Sequence, residues 1–581
     1  MVRRKGVSTD AGSKSEVLAR VKGYFEAGVR HPAYVQWLEE AAEAWRFYDG
    51  AQWSASEKSV LAEKGQPAIV INKIASKIDN IAGGEVIGRT RMILRSRSGE
   101  QQEEASARAL SDLMLYVSER SGQALEVSSM FKAGLVSGIG WLDVGVETDA
   151  EGPRIFSRVE DETQVVFDAD AQRADLSDAR FVARSRWLDA EEIKGMFPRQ
   201  AGAVMQQNSG FGDTAGSYRD ALSQEQVTYA DTKRNLVRVV EVQYKVSEKF
   251  YAVRRADGTR FGTFSKVVAE AEAMGGELES SYKPRVYVAY YSGNILLEHK
   301  ALGYQFNRFT LVPYVFKRER LSGVPYGMIR AAIDPQRELN KRRSKAMHLL
   351  NTAQVIADVD AVDDPKILAR EAARPDGIIL KRPGKDLRII RNSDLAQSQV
   401  AVMSEASRDI QDVLGVYDEA VGKTSNATSG VAIQQRQVAG SLNQMFAFDA
   451  LRKVKKNLGE MMLTLIRQYF THEMVIHITD QLGAARVVRL NEIAKDADGN
   501  VLTDDAGETI KLLDVKAGIF DVHVEEVRDA TSGRELEVQQ LNMLREAGVP
   551  IPPALLIEAT NLQNKDVLLA GLNGGEGGKN L

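Results

Sequence analysis

The chain has 581 residues, 44% of them hydrophobic, with 76 basic against 80 acidic side chains and a net charge of −4. That balance is not the basic footprint of a protein that grips nucleic acid tightly, and the absence of cysteine excludes disulfides, thiolate metal sites and cysteine nucleophiles. The length predicts several domains, and the longest apolar runs, such as 68–71, fall far short of the ~20 residues that cross a bilayer.

Residues 1–20 are polar and charged and are expected to be mobile; Arg3-Arg4-Lys5 is followed by polar residues rather than an apolar signal core. From about 21 to 62 the pattern is helical, with Val35, Leu38, Ala42 and Trp45 at three- and four-residue steps. Residues 101–133 read as another helix, followed by β-type alternation at 139–147 and 154–167. A Gly/Ser/Gln-rich stretch at 206–226 reads as a surface loop. Strand signals rich in Val and Tyr resume at 236–246 and 284–291. Residues 21–325 are therefore expected to form a mixed α/β body, part of an α+β fold without internal repeats.

A different pattern begins at 326. Asp334-Pro335 starts a basic helix expected over 335–354, Asp capping free backbone N–H groups and Pro presetting φ. In the insert 355–393, residues 377–382 and 385–391 read as two strands around Pro383-Gly384, a hairpin signal beside a helical patch at 364–373. So small a module has little area for a core of its own, so it is expected to pack on copies of itself. A second helix follows at 394–416, then a flexible loop at 417–430 containing Gly422-Lys423-Thr424-Ser425-Asn426-Ala427-Thr428-Ser429-Gly430. The next helix, 431–470, keeps Leu451, Val454, Leu458, Met461, Leu465 and Tyr469 on one stripe and has no Pro to interrupt it. Residues 476–530 read as a β segment, 531–571 as a helical region broken at Pro550-Ile551-Pro552-Pro553, and 572–581 as a Gly-rich tail.

Several motifs suggest enzyme chemistry on first reading. Gly422-Lys423-Thr424 ends like a phosphate-binding loop, but that loop needs Gly five positions before its second Gly, and position 417 is Tyr. His472 and His477 are five apart, whereas a helical zinc pair needs four. Asp168, Asp170, Asp175 and Asp178 offer oxygen ligands for a hard cation but lack the Gly and Glu of a calcium-binding hand; the bland alternative is solvated turns or pairing with Arg173 and Arg180. No Gly-x-Ser-x-Gly elbow occurs, and no Ser/His/Asp set stands out. Arg337, Lys341 and Lys345, with Arg342 and Arg343 beside them, form a basic stripe that serves either as a solvated face or as a contact for DNA or acidic protein.

The order helix, insert, helix, Ser/Gly loop, long helix resembles the stem, clip, second stem helix, tunnel loop and long helix of tailed-phage portal proteins. Trp45-Arg46-Phe47-Tyr48-Asp49-Gly50-Ala51-Gln52-Trp53 and Gly65-Gln66-Pro67-Ala68-Ile69-Val70-Ile71-Asn72-Lys73-Ile74 are similar to the opening signature of the family that includes P22-like portals. Asp79-Asn80-Ile81-Ala82-Gly83, Gly134-Leu135-Val136-Ser137-Gly138-Ile139-Gly140-Trp141 and Val166-Phe167-Asp168-Ala169-Asp170-Ala171 follow in the same order, so that the likeness spans about 35–565. It departs at the end, where some relatives continue into a long helical barrel and this sequence is Gly-rich.

The resemblance implies a wing at 21–325, stem helices at 326–354 and 394–416, a clip at 355–393, a tunnel loop at 417–430, a long wing helix at 431–475 with a β segment behind it, and a crown at 531–571. It further implies a non-enzymatic homododecameric ring without cofactors, carrying double-stranded DNA. The implied partners are the terminase large subunit, a head–tail adaptor and the major capsid and scaffolding proteins, with no membrane; the implied location is the host cytoplasm during assembly and then the virion. Lys423, Thr424, Ser425, Asn426, Thr428 and Ser429 would face the DNA, and Lys381, Arg382, Lys385 and Arg388 would form the clip docking surface. The alternatives are a nucleic-acid-processing enzyme using Lys423 or the Asp168/Asp170/Asp175/Asp178 set, and another ring-shaped head–tail connector.

Overall fold

A computed structural model describes residues 13–97, 101–149, 152–208, 229–231, 234–255, 260–273, 276–372, 374, 377–390, 393–417, 430–479, 485–494 and shorter pieces up to residue 560. The described chain enters helix α1 (Lys14–Arg30) inside the stretch expected to be mobile. The missed signal is a capping box: Ser13 accepts from the Glu16 N–H while Glu16 reaches back to the Ser13 N–H. His31 ends α1 in an extended conformation because Pro32 follows it, and Pro32 then opens α2 (Pro32–Tyr48) at the position where a missing N–H costs nothing. After α3 (Ala55–Glu63) comes an extended strap at 67–73, then α4 (Ile74–Ile87) and strand β1 (Thr90–Ser96).

The region expected as one helix over 101–133 is two, α5 (Gln101–Arg120) and α6 (Gln123–Ser137). Gly122, with φ +65°, breaks them, since the left-handed conformation interrupts helical hydrogen bonding. Gly138 (φ +93°) ends α6 and turns the chain into β2 (Ile139–Asp149); a Cβ there would lie 2.4 Å from the backbone of Tyr326. β3 (Gly152–Glu160), β4 (Val165–Phe167) and β5 (Phe181–Leu188) follow, then α7 (Ala190–Met196) and α8 (Ala201–Asn208). The loop expected at 206–226 lies mostly outside the described residues. β6 (Ala230–Asp231), β7 (Leu236–Arg254), β8 (Arg260–Thr263), α9 (Lys266–Glu272), β9 (Glu277–Ser292), β10 (Ile295–Ala301), β11 (Leu311–Val315) and the short pair β12 (Lys317–Arg318) and β13 (Pro325–Tyr326) complete the body up to 326.

Strands β10-β9-β7-β5-β4 form the large sheet, with β6 and β8 also on β7, and β11-β2-β3 form a smaller one; all these pairings are antiparallel. Val17, Val21, Phe25 and Val29 recur at four-residue steps on α1 and, with Tyr34 and Trp37 of α2, bury against Val165, Phe167, Tyr244 and Tyr291 of the large sheet. A second core surrounds the long helix α13 (Gly430–Tyr469), which follows α10 (Ile333–Asn351), β14 (Gln354–Ala357), α11 (Pro365–Ala372), β15 (Leu387–Ile390) and α12 (Ser393–Leu414). Leu451, Val454, Leu458, Met461 and Leu465 of its stripe are buried among Leu110, Leu113, Met130 and Phe131, and Tyr469 packs at the edge. At roughly 1.5–3 kcal/mol per fully buried large side chain, this stripe is a principal source of the body's stability. Beyond it lie β16 (Met474–Thr479) paired with β17 (Ala485–Leu490), the short pair β18 (Glu492–Ile493) and β19 (Lys511–Leu512), β20 (Phe520–Glu526) and α14 (Pro553–Ala559). β20 returns to pair with β1, more than four hundred residues back in sequence. Among the described residues no helix is long and apolar enough to cross a membrane.

Candidate functional site

Helices α10 and α12 form a hairpin closed at its far end by the β14–β15 pair. Arg342 of α10 donates to Gln399 of α12 at 3.3 Å, while Lys73 bonds both Gln336 through its N–H and Ser407 through its Nζ. Rising numbers on one helix thus meet falling numbers on the other, so the pair is antiparallel.

The strap at 67–73 is fastened along α10 by a polar ladder. The Ile69, Ile71 and Lys73 N–H groups donate to Ser344 Oγ (3.3 Å), Asn340 Oδ1 (3.0 Å) and Gln336 Oε1 (3.1 Å), and Gln336 Nε2 returns a bond to the Ile71 carbonyl at 2.7 Å. The match is one of spacing: two residues of extended chain rise about 6.6 Å and four residues of helix about 6.0 Å. Every second strap residue therefore meets every fourth helix residue. Gln336, Asn340 and Ser344 are buried, so each bond also satisfies a polar group that would be costly to leave unpaired. The sequence contains this i, i+4, i+8 polar spacing, but its significance depends on the strap.

The basic stripe lies one position away from that ladder. Arg337 pairs with Glu43 and with Asp334 (3.1 Å) and lies over the Phe47 ring at 5.3 Å. Lys341 meets Glu57 at 3.4 Å and Arg342 meets Glu338 at 2.9 Å. Lys345 is exposed, and neither it nor Arg343 has an ion pair among the described residues. A cleft of about 600 Å³ opens over Lys341, Arg342 and Lys345, walled by Trp53, Val60 and Leu61 on one side and Gln399 on the other.

In the insert, the partner of 387–390 is β14, not the 377–382 segment expected from the sequence. The reason is the turn. Lys385 N–H donates to the Arg382 carbonyl across Pro383-Gly384, with Gly384 at φ +80°, the arrangement of a type II turn. Two-residue hairpins use the primed types, because type II splays the flanking strands. Arg382 instead ties back to Asp363 through Nη2 at 2.5 Å, and its N–H donates to the Ala361 carbonyl. Lys381 Nζ donates to the Lys385 carbonyl at 3.1 Å, and Arg388 pairs with Asp386 at 3.0 Å. Among the described residues of the insert the buried apolar side chains are Ala361, Leu368 and Ala372, whereas Ile378 and Leu380 are 78% and 84% exposed.

Lys423, Thr424, Ser425, Asn426, Thr428 and Ser429 lie outside the described residues. The approach to them is anchored: Lys77 Nζ donates to the Val416 carbonyl at 2.5 Å and Gln444 Nε2 to the Gly415 carbonyl at 3.4 Å. The four aspartates do not converge on a common centre. Asp168 is buried and takes Arg180 through both oxygens (2.8 and 2.7 Å), Asp170 also meets Arg180, Asp178 accepts from the Gln172 and Arg173 N–H groups, and Asp175 meets Lys453 at 3.7 Å. Burial pushes the Asp168 carboxyl up, but the Arg180 hydrogen bonds and charge outweigh it and hold it below its ordinary value. His472 precedes β16 and His477 lies on it, so the two share no helical face.

Two buried charge clusters were missed by sequence reasoning. Lys455 of α13 pairs with Glu85 of α4 at 2.8 Å, and Ser128 of α6 donates to the other Glu85 oxygen. Arg184 of β5 reaches Asp143, Glu160 and Glu241 at 2.5–2.8 Å and clamps the small sheet to the large one. Burial raises the Glu160 carboxyl in spite of Arg184 and Arg186. Alternating Arg and Glu on β-branched strands was the only available signal, and many surface strands share it.

A family model described as phage P22-like portal protein matches residues 22–574. The chain is 22% identical over 550 residues to the portal protein of Acyrthosiphon pisum secondary endosymbiont phage 1, a match covering 89% of this chain and 74% of that one. It is also 26% identical over 170 residues to the portal protein of Helicobacter pylori bacteriophage KHP30, covering 29% of this chain and 28% of the other.

Proposed function

The chain belongs to the phage P22-like portal protein family, and from that premise we propose that identical copies close into a dodecameric ring at one capsid vertex around a channel for double-stranded DNA. The family is structural rather than enzymatic, and its members are virion components. The observation that carries this reading is the family match over nearly the whole chain. The exposed apolar surface of the insert supports it, since Ile378 and Leu380 are without cover in a single copy.

In this reading α10 and α12 are the stem, 355–393 is the clip that docks the terminase large subunit and later the head–tail adaptor, and 417–430 is the tunnel loop. Lys381, Arg382, Lys385 and Arg388 supply the clip's basic docking surface. The body at 21–325, with α13 and the β segment behind it, is the wing; 531–571 is the crown. Capsid and scaffolding proteins meet the ring during assembly in the host cytoplasm. Lys423, Thr424, Ser425, Asn426, Thr428 and Ser429 face the DNA, the run Ser425, Ala427, Thr428, Ser429 and Gly430 keeps the loop short in side chain, and the near-neutral chain suits a wall that must not hold phosphates by counterion release.

Packaging into purified proheads tests the channel directly. Shortening 422–430 leaves ring incorporation unchanged and impairs packaging or genome retention. Normal packaging and retention of a full-length genome by the shortened protein would remove the tunnel-loop assignment.

A further inference from the structure

Helix α10 carries five basic side chains against two acidic ones, and α12 four acidic against one basic. These opposite charges do not neutralise each other within the hairpin. Glu405, Asp409 and Asp412 are exposed, stand at i, i+4 and i+7, and have no ion pair among the described residues; the buried side of α12 holds Ala406, Ile410 and Leu414 instead. On α10, Lys345 is exposed and also lacks a pair, and with Lys341 it floors the cleft of about 600 Å³. The wall of that cleft is α3, a helix with no buried residue, which leaves Val60 46% exposed. Leu395, Val400 and Val413 are likewise uncovered on α12.

We propose, resting on the ring reading above, that the acidic face of α12 in one copy seats in the basic cleft over α10 of the next. Two different faces of one chain make a heterologous contact, and such a contact closes into a ring when its rotation does. Self-pairing of either face is disfavoured by like charge. The register is also constrained. Arg342 lies level with Gln399 within a chain, so Glu405 lies level with about residue 336 and Asp409 with about 332; their meeting Lys345 and Lys341 of a neighbour together requires one axial offset of about nine residues, roughly 14 Å at ~1.5 Å per residue. Neighbouring hairpins must therefore be inclined to the ring axis.

Charge reversal in the full-length protein, read by native mass spectrometry at low and moderate salt, tests the contact. One chain carries Lys341→Glu and Lys345→Glu; the other carries Glu405→Lys, Asp409→Lys and Asp412→Lys. Each alone loses rings at least tenfold relative to wild type, because like charges then face each other. An equimolar mixture regains rings containing both chains in equal number, and a chain bearing all five reversals regains them alone. Rings from either reversed chain at the wild-type level overturn the proposal, as does a mixture that stays monomeric while both chains melt like wild type. Should a reversed chain melt early, Lys345→Gln and Asp412→Asn replace it, each lowering the salt concentration at which rings dissolve; an unchanged salt midpoint is again fatal. A wild-type chain that forms no rings at all contradicts the portal reading instead.

Discussion

The body around α13 and the insert between α10 and α12 are built on opposite terms. The body surrounds Leu451, Leu458 and Leu465 with apolar side chains from several elements and fastens α13 with the buried Lys455–Glu85 pair. The insert buries Ala361, Leu368 and Ala372 and leaves Ile356, Val359, Ile367, Ile378 and Leu380 half or more exposed. One region covers its apolar side chains within a single chain and the other leaves most of its own uncovered there. That division suits the ring proposed above, in which the insert would find its cover on neighbouring copies.

The sharpest way to break the contrast is to damage the body. Glu85→Ala strands the buried Lys455 ammonium and should cost about 3–5 kcal/mol in denaturant unfolding; a loss under ~1 kcal/mol would mean the pair is solvated. Leu458→Ala, which empties a fully buried position, should cost about 2–5 kcal/mol by the same measurement. Asn340→Ala removes one rung of the strap and leaves the Ile71 N–H without its acceptor, for about 1–3 kcal/mol. Protease cleavage near 67–73 should accelerate in step, and an unchanged cleavage rate would show that the strap is held elsewhere.

The pH dependence is smaller and has a fixed sign. Asp168 is held below the ordinary Asp value of ~3.9, so its contribution to stability is complete above that value and is lost as pH falls through the depressed folded one. Asp168→Asn should therefore lose less stability than wild type as pH falls from about 4 through the depressed folded value. Parallel unfolding midpoints across that interval would contradict the Arg180 pairing as a source of stability. Least affected of all should be a monomer carrying Ile378→Ala and Leu380→Ala, within about 0.5 kcal/mol of wild type, while its assembly into rings falls. Undiminished assembly would make the insert's apolar face incidental.

What the sequence made legible was local. The α13 stripe and the Val/Tyr strands are repeating patterns a few residues long, and those elements stand close to where the patterns predict. Helix α10 begins near the expected place, but Ala332 is its N-cap with no side-chain cap, because the preceding turn already leads into the helix and leaves Asp334 and Pro335 inside the first turn rather than at its cap. What stayed hidden depended on distant partners. The ladder of Gln336, Asn340 and Ser344 has meaning only beside 69–73, and the Glu85–Lys455 pair spans 370 residues. The insert was misread because Pro383-Gly384 marks a turn without fixing its hand. The start of α1 was lost because charged residues masked a capping box at Ser13 and Glu16. In the site itself, order of elements carried the family resemblance, whereas the pairing of each basic side chain required the fold.

The most direct test of the account is electron cryo-microscopy of the purified full-length protein. It predicts closed rings with an open central channel, α10 and α12 around that channel, and the 355–390 insert packed against its neighbours. Monomers alone across a broad range of salt and concentration, or rings in which Ile378 and Leu380 remain uncovered, would contradict it.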